Sequence, residues 1–302
     1  MVLPNVILSV VIPTYQRWER LKLTLAALEA QTLAQELFEV IISDDGSNDD
    51  TLVNLEAYCR RSSLNIQVLT GPNSGPAAAR NRGIARARAP WVAMTDDDCV
   101  PDPTWLSELL AFSAAHPQAG AIGGKVVRYR DTYISRYVDW TGVMLPPVRS
   151  DGKVAYLVTA NAMVRADHLR EVGGFDEAYK WPGGEDPDLS YRLAARGVQL
   201  GYAQQAVVKH MHRESVRGTY RMFWHHGLGL GVQQTQQASA AARTWGQTLV
   251  RRSIPGMRRA LRERSGLEAA VFAFLEAVRH CAFHRGVDAH RMVQRRGGTS
   301  AN

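Results

Sequence analysis

Short apolar runs alternate with segments of helical periodicity through the first hundred residues. Each apolar run is only a few residues long, which is typical of a buried strand. The predicted strands are Val6–Ile12, closed by Pro13, then Glu39–Ser43, Ile66–Leu69 and Trp91–Thr95. The predicted helices between them are Arg17–Gln31, Asp49–Arg61 and Ala77–Arg88. This alternation predicts βαβ units, and therefore an α/β, Rossmann-like, mostly parallel sheet flanked by helices.

The pattern is less regular after residue 98. The predicted elements there are a helix over Pro103–His116, strands over Ala121–Tyr129 and Ala155–Val164, a helix that Gly183–Asp186 opens and that runs to about Arg196, and a closing strand over Val207–His212. Longer helical runs follow. We expect these elements to complete the sheet and to add a helical C-terminal extension.

Polar residues follow each of the first four predicted strands. They are Pro13–Tyr15, Asp44–Asp45, Asn73–Gly75 and Asp96–Asp98. Ligands of open α/β sheets bind at the carboxyl ends of the strands, which lie along one edge. Four loops that converge there predict a crevice of nucleotide size.

Three consecutive carboxylates, Asp96, Asp97 and Asp98, come directly after the fourth predicted strand. Their mutual repulsion requires a cation or hydrogen bonds to neutralise it. Oxygen ligands of this kind suit Mg²⁺ or Mn²⁺ bound together with a diphosphate. Asp96 and Asp98 can converge on one side of a turn, whereas Asp97 points elsewhere. The alternative is a solvated acidic turn that caps the next helix.

Asp44 and Arg80 each have two interpretations. Asp44 either caps a strand-to-helix turn or accepts a hydrogen bond from the N3–H of a pyrimidine base. Arg80 lies in the first turn of its predicted helix, where it can reach a diphosphate or brace an acidic residue. The nearby Arg82, Arg86 and Arg88 are interpreted as a solvated helix face.

Glu185 and Asp186 follow two glycines and open a helix. Helix capping with a favourable dipole interaction explains them without any chemistry. In the functional interpretation, Asp186 is a general base that deprotonates an acceptor hydroxyl. His210 ends the last predicted strand and complements two aspartates as a third metal ligand. His212 is the alternative ligand, and a structural role for either histidine stays open.

Charge is unevenly distributed along the 302 residues. Residues 217–302 contain 14 arginines, no lysine and four acidic residues, a net charge of +10, whereas the remainder carries −3. The asymmetry predicts a boundary near residue 215. We expect a domain over residues 1–215, which carries the candidate catalytic residues, and a basic, mainly helical extension over residues 216–302. The three cysteines form no CxxC pair, so the sequence indicates neither a disulfide framework nor a zinc knuckle.

In order and spacing, these motifs resemble the inverting glycosyltransferases of family 2, which have the GT-A fold. The resemblance covers roughly residues 9–215. The segments that carry it are Ser9–Tyr15, Asp44–Ser47, Asn73–Gly75 with Ala79–Gly83, Asp96–Asp98, Val172–Asp176, Gly184–Asp186 and the region of His210. Each motif is degenerate alone, and their common order is what makes the resemblance specific.

The resemblance implies a role for each matching residue. Asp186 would be the catalytic base, and Asp96, Asp98 and His210 would hold Mn²⁺ or Mg²⁺. The implied nucleotide-sugar-binding residues are Pro13, Thr14, Tyr15, Asp44, Arg80, Asp96, Asp97 and Glu185. The implied reaction transfers a sugar, with inversion, from a nucleoside-diphosphate donor such as a UDP-sugar. Its acceptor would be a hydroxyl of a saccharide, a lipid-linked glycan or another glycan.

Two other functions fit parts of the sequence. A sugar nucleotidyltransferase would need a Gly-rich, basic phosphate loop after the first strand, and Pro13–Arg17 contains no glycine. A non-catalytic protein could bind an anionic surface, either membrane or nucleic acid, through the basic tail. Apolar helical runs such as Leu267–Val278 favour packing on the catalytic domain instead. We expect a cytoplasmic enzyme without a nucleic-acid partner, and peripheral contact with the inner face of the membrane is an additional role for the tail.

Overall fold

The computed structural model describes residues 6–148, 154–235 and 253–297. The strands are β1 (Leu8–Thr14), β2 (Phe38–Asp44), β3 (Ile66–Thr70), β4 (Trp91–Met94), β5 (Cys99–Pro101), β6 (Ala119–Arg128), β7 (Ala162–Arg165) and β8 (Gln199–His210). The helices are α1 (Trp18–Glu29), α2 (Thr51–Cys59), α3 (Pro76–Ile84), α4 (Trp105–Ala115), α5 (Tyr133–Thr141), α6 (Ala166–Glu171), α7 (Glu185–Ala195), α8 (Val216–Thr235), α9 (Ser253–Glu263) and α10 (Gly266–Gly297).

The strands form one eight-stranded sheet in the order β3-β2-β1-β4-β7-β6-β8-β5. The predicted parallel sheet is confirmed for β1 to β4, whose pairings with one another are all parallel. The other half of the sheet is mixed: β7 is antiparallel to β4 and to β6, β8 is parallel to β6, and β5 is antiparallel to β8. The antiparallel β7 therefore separates two halves of the sheet. One half consists of βαβ units, and the other half places the end of β8 beside Asp98.

Alternating residues of β1 face opposite layers of helices. Leu8, Val10 and Ile12 pack on one face with Leu21 and Leu25 of α1, which are spaced one helical turn apart. Val11 packs on the other face, where α3 lies. A Cβ atom at Gly83 would lie 2.5 Å from a methyl carbon of Val11, so this glycine permits the close approach of α3 to β1. Burial on both faces explains the continuous apolar runs of the sequence.

Several predicted strands have different limits in the structure. β8 begins at Gln199 and ends at His210, whereas the predicted strand ran from Val207 to His212. β1 continues through Pro13 to Thr14. Proline has no backbone N–H to donate, but the pairing of β1 with β4 stops at Val11, so no hydrogen bond to β4 is lost at Pro13. The strand predicted over Ala155–Val164 is reduced to β7, preceded by a 3₁₀ turn over Thr159–Asn161. There the amides of Leu157 and Thr159 donate to side chains of α7 instead of to a neighbouring strand.

The C-terminal helices pack on the sheet-containing part through α5, a helix that the sequence analysis did not predict. Tyr137 of α5 contacts Phe272 of α10 edge to face, and its hydroxyl donates to Glu276 at 2.7 Å. Helices α8 and α10 approach each other closely at Gly227, where a Cβ atom would lie 2.1 Å from the carbonyl oxygen of Phe283. The predicted packing of the apolar tail segments is therefore confirmed for the described residues. None of the described helices combines the length and apolarity needed to cross a bilayer.

Candidate active site

The loops that follow β1 and β2 are bonded to each other at the parallel edge of the sheet. The Asp45 amide donates to the Thr14 carbonyl at 2.8 Å, and the Gln16 amide donates to the Ser47 hydroxyl at 2.8 Å. Gln16 has a φ of 53°, the left-handed region that non-glycine residues seldom occupy. The chain therefore turns sharply after Tyr15, which leaves the Tyr15 side chain exposed at the crevice edge.

Asp44 is buried at the end of β2. Its Oδ2 atom accepts hydrogen bonds from the amides of Gly46 and Ser47, as the turn interpretation predicted. Its Oδ1 atom has no hydrogen-bond partner among the described residues, which leaves one acceptor available to a donor such as a base N–H. Arg82 donates to the Asp44 carbonyl at 2.7 Å, so the prediction that Arg82 belongs to a solvated helix face was wrong.

The carboxylate of Asp45 fixes the loop that follows β3. Its two oxygens accept the amides of Ser74 and Gly75 at 3.0 and 2.8 Å. Gly75 has a φ of 98°, and a Cβ atom there would lie 2.3 Å from the carbonyl oxygen of Lys180. This loop therefore touches the segment that leads to Glu185 and Asp186, which joins the two sides of the crevice.

Asp96, Asp98 and His210 come together as the sequence analysis predicted. With Cys99, each offers one ligand atom, and these atoms all lie within 4.8 Å of one another. The antiparallel pairing of β5 with β8 places Cys99 opposite His210 and accounts for the meeting. Two carboxylates and an imidazole form a donor set that fits Mn²⁺ or Mg²⁺. Burial raises the pKa of the Cys99 thiol well above its ordinary value, which makes it the weaker ligand.

Three cationic groups surround the Asp98 carboxylate. Its Oδ2 atom accepts from Arg17 at 3.2 Å and Arg20 at 3.1 Å, and its Oδ1 atom lies 3.3 Å from His210 Nε2. Burial alone would raise the pKa of Asp98, but His210 and the two arginines outweigh it and hold that pKa far below its ordinary value. Asp98 is therefore ionised, as a metal ligand must be.

Asp97 points into the protein, away from the cluster. Its carboxylate accepts from the Thr14 hydroxyl and from Arg17, both at 2.9 Å, and the residue is 3% exposed. Burial raises the pKa of Asp97 to about 6, although Arg17 counteracts the effect. Pro13 is also buried, within β1. The hydrogen bond from Thr14 to Asp97 therefore connects β1 to the loop after β4. Contact of Asp97 with a nucleotide sugar stays a prediction.

Arg80 bridges the two halves of the crevice from the first turns of α3. Its guanidinium donates to Asp96 at 2.7 Å and to Glu185 at 3.3 Å, and Arg80 and Glu185 are both buried. The predicted bracing of an acidic residue is confirmed. Burial and the neighbouring Asp186 raise the pKa of Glu185 to about 7, with Arg80 acting in the opposite direction.

Asp186 lies in the first turn of α7 and its carboxylate is held from one side. The Thr159 amide donates to Oδ2 at 3.0 Å, and the Thr159 hydroxyl donates to Oδ1 at 2.5 Å. Burial raises the pKa of Asp186, while Arg80 and Thr159 lower it less than burial raises it. A carboxylate with a raised pKa and a fixed orientation suits a general base.

His210 and His212 contact each other at the end of β8. Their Nδ1 atoms lie 2.9 Å apart, and His212 Nε2 lies 3.2 Å from Asp139 Oδ1. His212 follows the last residue of β8 and turns towards α5, so it takes no part in the cluster around Asp98. Burial opposes protonation of His210, but Asp98 raises the pKa of His210 above its ordinary value.

The sequence analysis missed several residues of this site. Arg17 and Arg20 hold Asp97 and Asp98, and their positions just after β1 at the binding edge were an available signal. Thr159 had no local signal, because its partner Asp186 lies 27 residues away. Helix α8 of the basic extension also lies against the site. Gly229 of α8 packs so closely on Gly183 that an added Cβ atom would lie 1.5 Å from the Gly183 carbonyl oxygen.

Solved structures with this fold include glycosyltransferases. The mannosyltransferase PcManGT from Pyrobaculum calidifontis, in complex with GDP-Man and Mn²⁺, superposes with a TM-score of 0.67 at 17% identity, over 93% of this chain and 86% of that one. TarS 1–349 of S. aureus, in complex with UDP-GlcNAc, gives a TM-score of 0.58 at 19% identity, over 97% of this chain and 92% of that one. At these identities the likeness shows a common fold, which is GT-A.

Relatives with assigned activities are glycosyltransferases. The pre-mycofactocin glycosyltransferase of Mycobacterium tuberculosis is 36% identical over 191 residues, which is 59% of this chain and 38% of the relative. The validoxylamine A glucosyltransferase of Streptomyces hygroscopicus is 32% identical over 230 residues, 66% of this chain and 54% of the relative. Chondroitin synthase of Escherichia coli is 29% identical over 242 residues, 67% of this chain and 34% of the relative. The chain thus spans about half or less of the length of these relatives.

Two family models match the chain. The model for the N-terminal domain of galactosyltransferase matches residues 142–226, which include Thr159, Asp186, His210 and the first half of α8. The model of glycosyl transferase family 2 matches residues 9–173, which is more than half of the chain and includes β1 to β7 with the Asp96–Asp98 segment. With its GT-A sheet and this coverage, the chain belongs to glycosyl transferase family 2.

Proposed function

We propose that this chain is a glycosyltransferase that depends on Mn²⁺ or Mg²⁺ and inverts the anomeric carbon of a nucleoside-diphosphate sugar. The proposed acceptor is a hydroxyl of a saccharide, a lipid-linked glycan or another glycan. The observation that carries the proposal is the position of Arg80, which joins Asp96 of the candidate metal cluster to Glu185, the residue before Asp186. The groups needed for the leaving group and for the acceptor proton therefore belong to one connected site.

The donor side of the proposal rests on the β1 and β2 loops. The unpartnered Oδ1 atom of Asp44 is an acceptor for the N3–H of uracil, at the edge where β1 ends at Thr14 and Tyr15 follows. Asp96, Asp98 and His210 would hold the divalent ion, which supplies positive charge against the departing diphosphate. Two fold relatives carry GDP-Man with Mn²⁺ and UDP-GlcNAc, so both uridine and guanosine donors need to be tested.

The acceptor side rests on Asp186. Its carboxylate takes the proton from the acceptor hydroxyl while that oxygen forms the new bond to the anomeric carbon and the bond to the diphosphate oxygen breaks. The two hydrogen bonds from Thr159 favour the ionised form of the carboxylate and hold it in one orientation during this step. One base suffices for a single displacement, because no covalent sugar–protein bond has to form. Attack opposite the leaving group inverts the anomeric centre.

Peripheral membrane contact is proposed as an additional role of the C-terminal helices. Met257 and Leu261 lie one turn apart on α9 with exposed side chains, beside the exposed Arg258 and Arg262. An exposed apolar pair among arginines suits an anionic lipid surface. Cosedimentation with vesicles that contain phosphatidylglycerol, compared with neutral vesicles, tests this role separately from catalysis.

A panel of UDP-, GDP- and dTDP-sugars tests the proposed reaction. Donor hydrolysis and transfer would be measured with Mn²⁺ and after EDTA, for the wild type and for Asp186→Asn. We expect turnover of one donor that requires the metal and is lost in the variant, while nucleotide binding survives. Failure of every nucleotide to bind, with or without metal, would refute the proposal.

A further inference from the structure

One face of α8 lies against the segment that leads to Asp186. Positions 218, 221, 225 and 229 are three or four residues apart, so they share one side of this helix. The His225 ring stacks on Trp181 with the ring centroids 5.2 Å apart, and Gly229 packs on Gly183. Side chains on this face of α8 can therefore meet a substrate that approaches Asp186.

The other end of this face begins beside the candidate metal cluster. The Met211 amide, in the loop between β8 and α8, donates to the Asp98 carbonyl at 2.8 Å, and Arg20 donates to the Met211 carbonyl at 3.1 Å. Arg213 follows two residues later, and its side chain lies along the start of α8. A Cβ atom at Gly218 would lie 2.8 Å from Arg213 Cβ and 3.4 Å from Arg213 Cδ. The face therefore connects the metal cluster with the loop before the proposed base.

Arg213 and Arg221 on this face have no carboxylate partner in the described part of the chain. Four further arginines of the crevice each pair with an aspartate: Arg17, Arg20, Arg80 and Arg82. The acidic residue that follows Arg213, Glu214, pairs instead with Arg130 at 3.6 Å, and the first turn of α8 contains no acidic residue. Burial lowers the pKa of Arg213, and the nearby charge of Arg17 lowers it further. This part of the crevice therefore has an excess of positive charge that an anionic ligand would offset.

We propose that Arg213 and Arg221 form a subsite for an anionic group of the acceptor, a phosphate or a carboxylate that the saccharide carries. The inference deepens the proposed function and rests on it, because Asp186 as the base defines the acceptor side. Guanidinium groups bind phosphate and carboxylate alike through paired N–H···O hydrogen bonds. Two such groups beside the base loop would favour an acidic acceptor over a neutral one and hold it near Asp186.

The donor diphosphate is the other anion that could reach these arginines, and the two positions distinguish it from the acceptor. Arg213 follows Met211, whose amide is bonded to the loop of the metal cluster. Arg221 lies in the second turn of α8, one turn before His225 and its contact with Trp181. A diphosphate at the metal cluster would therefore depend first on Arg213, whereas an anionic group of the acceptor would depend on Arg221.

The first measurement is the affinity for inorganic phosphate by titration calorimetry, in EDTA so that no divalent ion contributes. We expect Arg213→Gln and Arg221→Gln to bind phosphate about 10- to 100-fold more weakly than wild type, because each loses hydrogen bonds to a charged group. Arg86→Gln is the matched control and should bind as wild type does. Arg86 is an exposed arginine between α3 and β4, at the end of the sheet opposite the crevice. No phosphate binding by the wild type, or equal affinity in Arg221→Gln and Arg86→Gln, overturns the proposal.

The second measurement separates the acceptor from the donor. The affinities for UDP, GDP and dTDP with Mg²⁺ would be determined for the same proteins. We expect Arg221→Gln to keep the wild-type affinity for the nucleotide while it loses affinity for phosphate. Equal losses for nucleotide and phosphate would assign the arginines to the donor diphosphate and overturn the proposal. Phosphate binding that requires Arg221, in a protein that binds none of the nucleotides, would contradict the proposed function and leave the anion subsite supported.

Discussion

Thr159 and Asp186 meet through two hydrogen bonds, one from the threonine amide and one from its hydroxyl, at 3.0 and 2.5 Å. The 3₁₀ turn over Thr159–Asn161 presents both donors to one carboxylate. Both bonds favour the ionised form of Asp186 against the burial that disfavours it. The turn therefore keeps a buried carboxylate able to accept a proton.

Asp186→Asn removes the proposed base without changing the size of the side chain. We expect kcat to fall by about 100- to 10,000-fold, the usual contribution of a general base, while the Kd of the nucleotide changes little. Asp188→Asn, in the same helical turn but paired with Arg192, is the control and should keep most of its activity. Single-turnover transfer assays measure the difference. Equal losses in the two variants would contradict the assignment of the base.

Thr159→Val removes the hydroxyl donor and keeps the amide donor. The pKa of Asp186 should rise, because one bond to the ionised form is lost. Asp186 must be ionised to act, so the acidic limb of the profile of kcat against pH should move to higher pH. Thr141→Val, on the surface of α5, is the control. An unchanged acidic limb would show that Asp186 does not set it.

Glu185 makes stability depend on pH. Its pKa is raised from 4.5 in the unfolded chain to about 7 in the folded protein, first by burial and then by Asp186. The folded state therefore binds more protons than the unfolded state between these values, so this group lowers the free energy of unfolding as the pH rises from about 4.5 to 7. Glu185→Gln should lose this component. Urea unfolding of both proteins at several pH values measures it, and parallel curves would disagree with the expectation.

Removal of the divalent ion should abolish transfer. We expect EDTA to inactivate the enzyme and Mn²⁺ to restore it, since Asp96, Asp98 and His210 form a donor set for such an ion. Asp98→Asn should require more Mn²⁺ for half-maximal activity. Asp102→Asn, which removes a partner of Lys209 near the same strand, should not. Full activity in EDTA would refute the metal dependence.

Gly229→Ala tests whether α8 supports the catalytic loop. The added methyl group would collide with the carbonyl oxygen of Gly183, so the loop or the helix must shift. We expect a loss of stability of about 1–3 kcal/mol, typical of overpacking, and a lower kcat. Gly123→Ala in β6 is the control, because the nearest atom to its added methyl group would be a terminal side-chain carbon of Leu157 at 3.3 Å. Thermal unfolding and transfer assays distinguish the two, and equal behaviour would argue against the support.

The pattern of apolar and polar residues was enough to predict the parallel half of the sheet and the residues at its binding edge. Buried parallel strands are read from continuous apolar runs, and the carboxyl ends of such strands share one edge, so Asp44, Asp96 and Asp98 could be placed together. The pairing of Asp98 with His210 was accessible from residue type alone, because carboxylates and an imidazole suit one ion. Reasoning from the local pattern failed for Arg82, because nothing in the sequence indicates that its side chain donates to the backbone carbonyl of Asp44.

The groups that orient these residues and shift their pKa values can be identified only in the folded protein. Arg17, Arg20, Thr159 and Asp139 reach their partners across 27 to 81 positions of sequence. For Thr159 and Asp139, no periodicity or turn motif in the sequence marks such contacts. The antiparallel β5–β8 pairing brings His210 to Asp98, and the glycines of α8 allow the tail to pack against Gly183. Local composition determines which segments are buried. Side-chain orientation and ionisation depend on neighbours that only folding brings together.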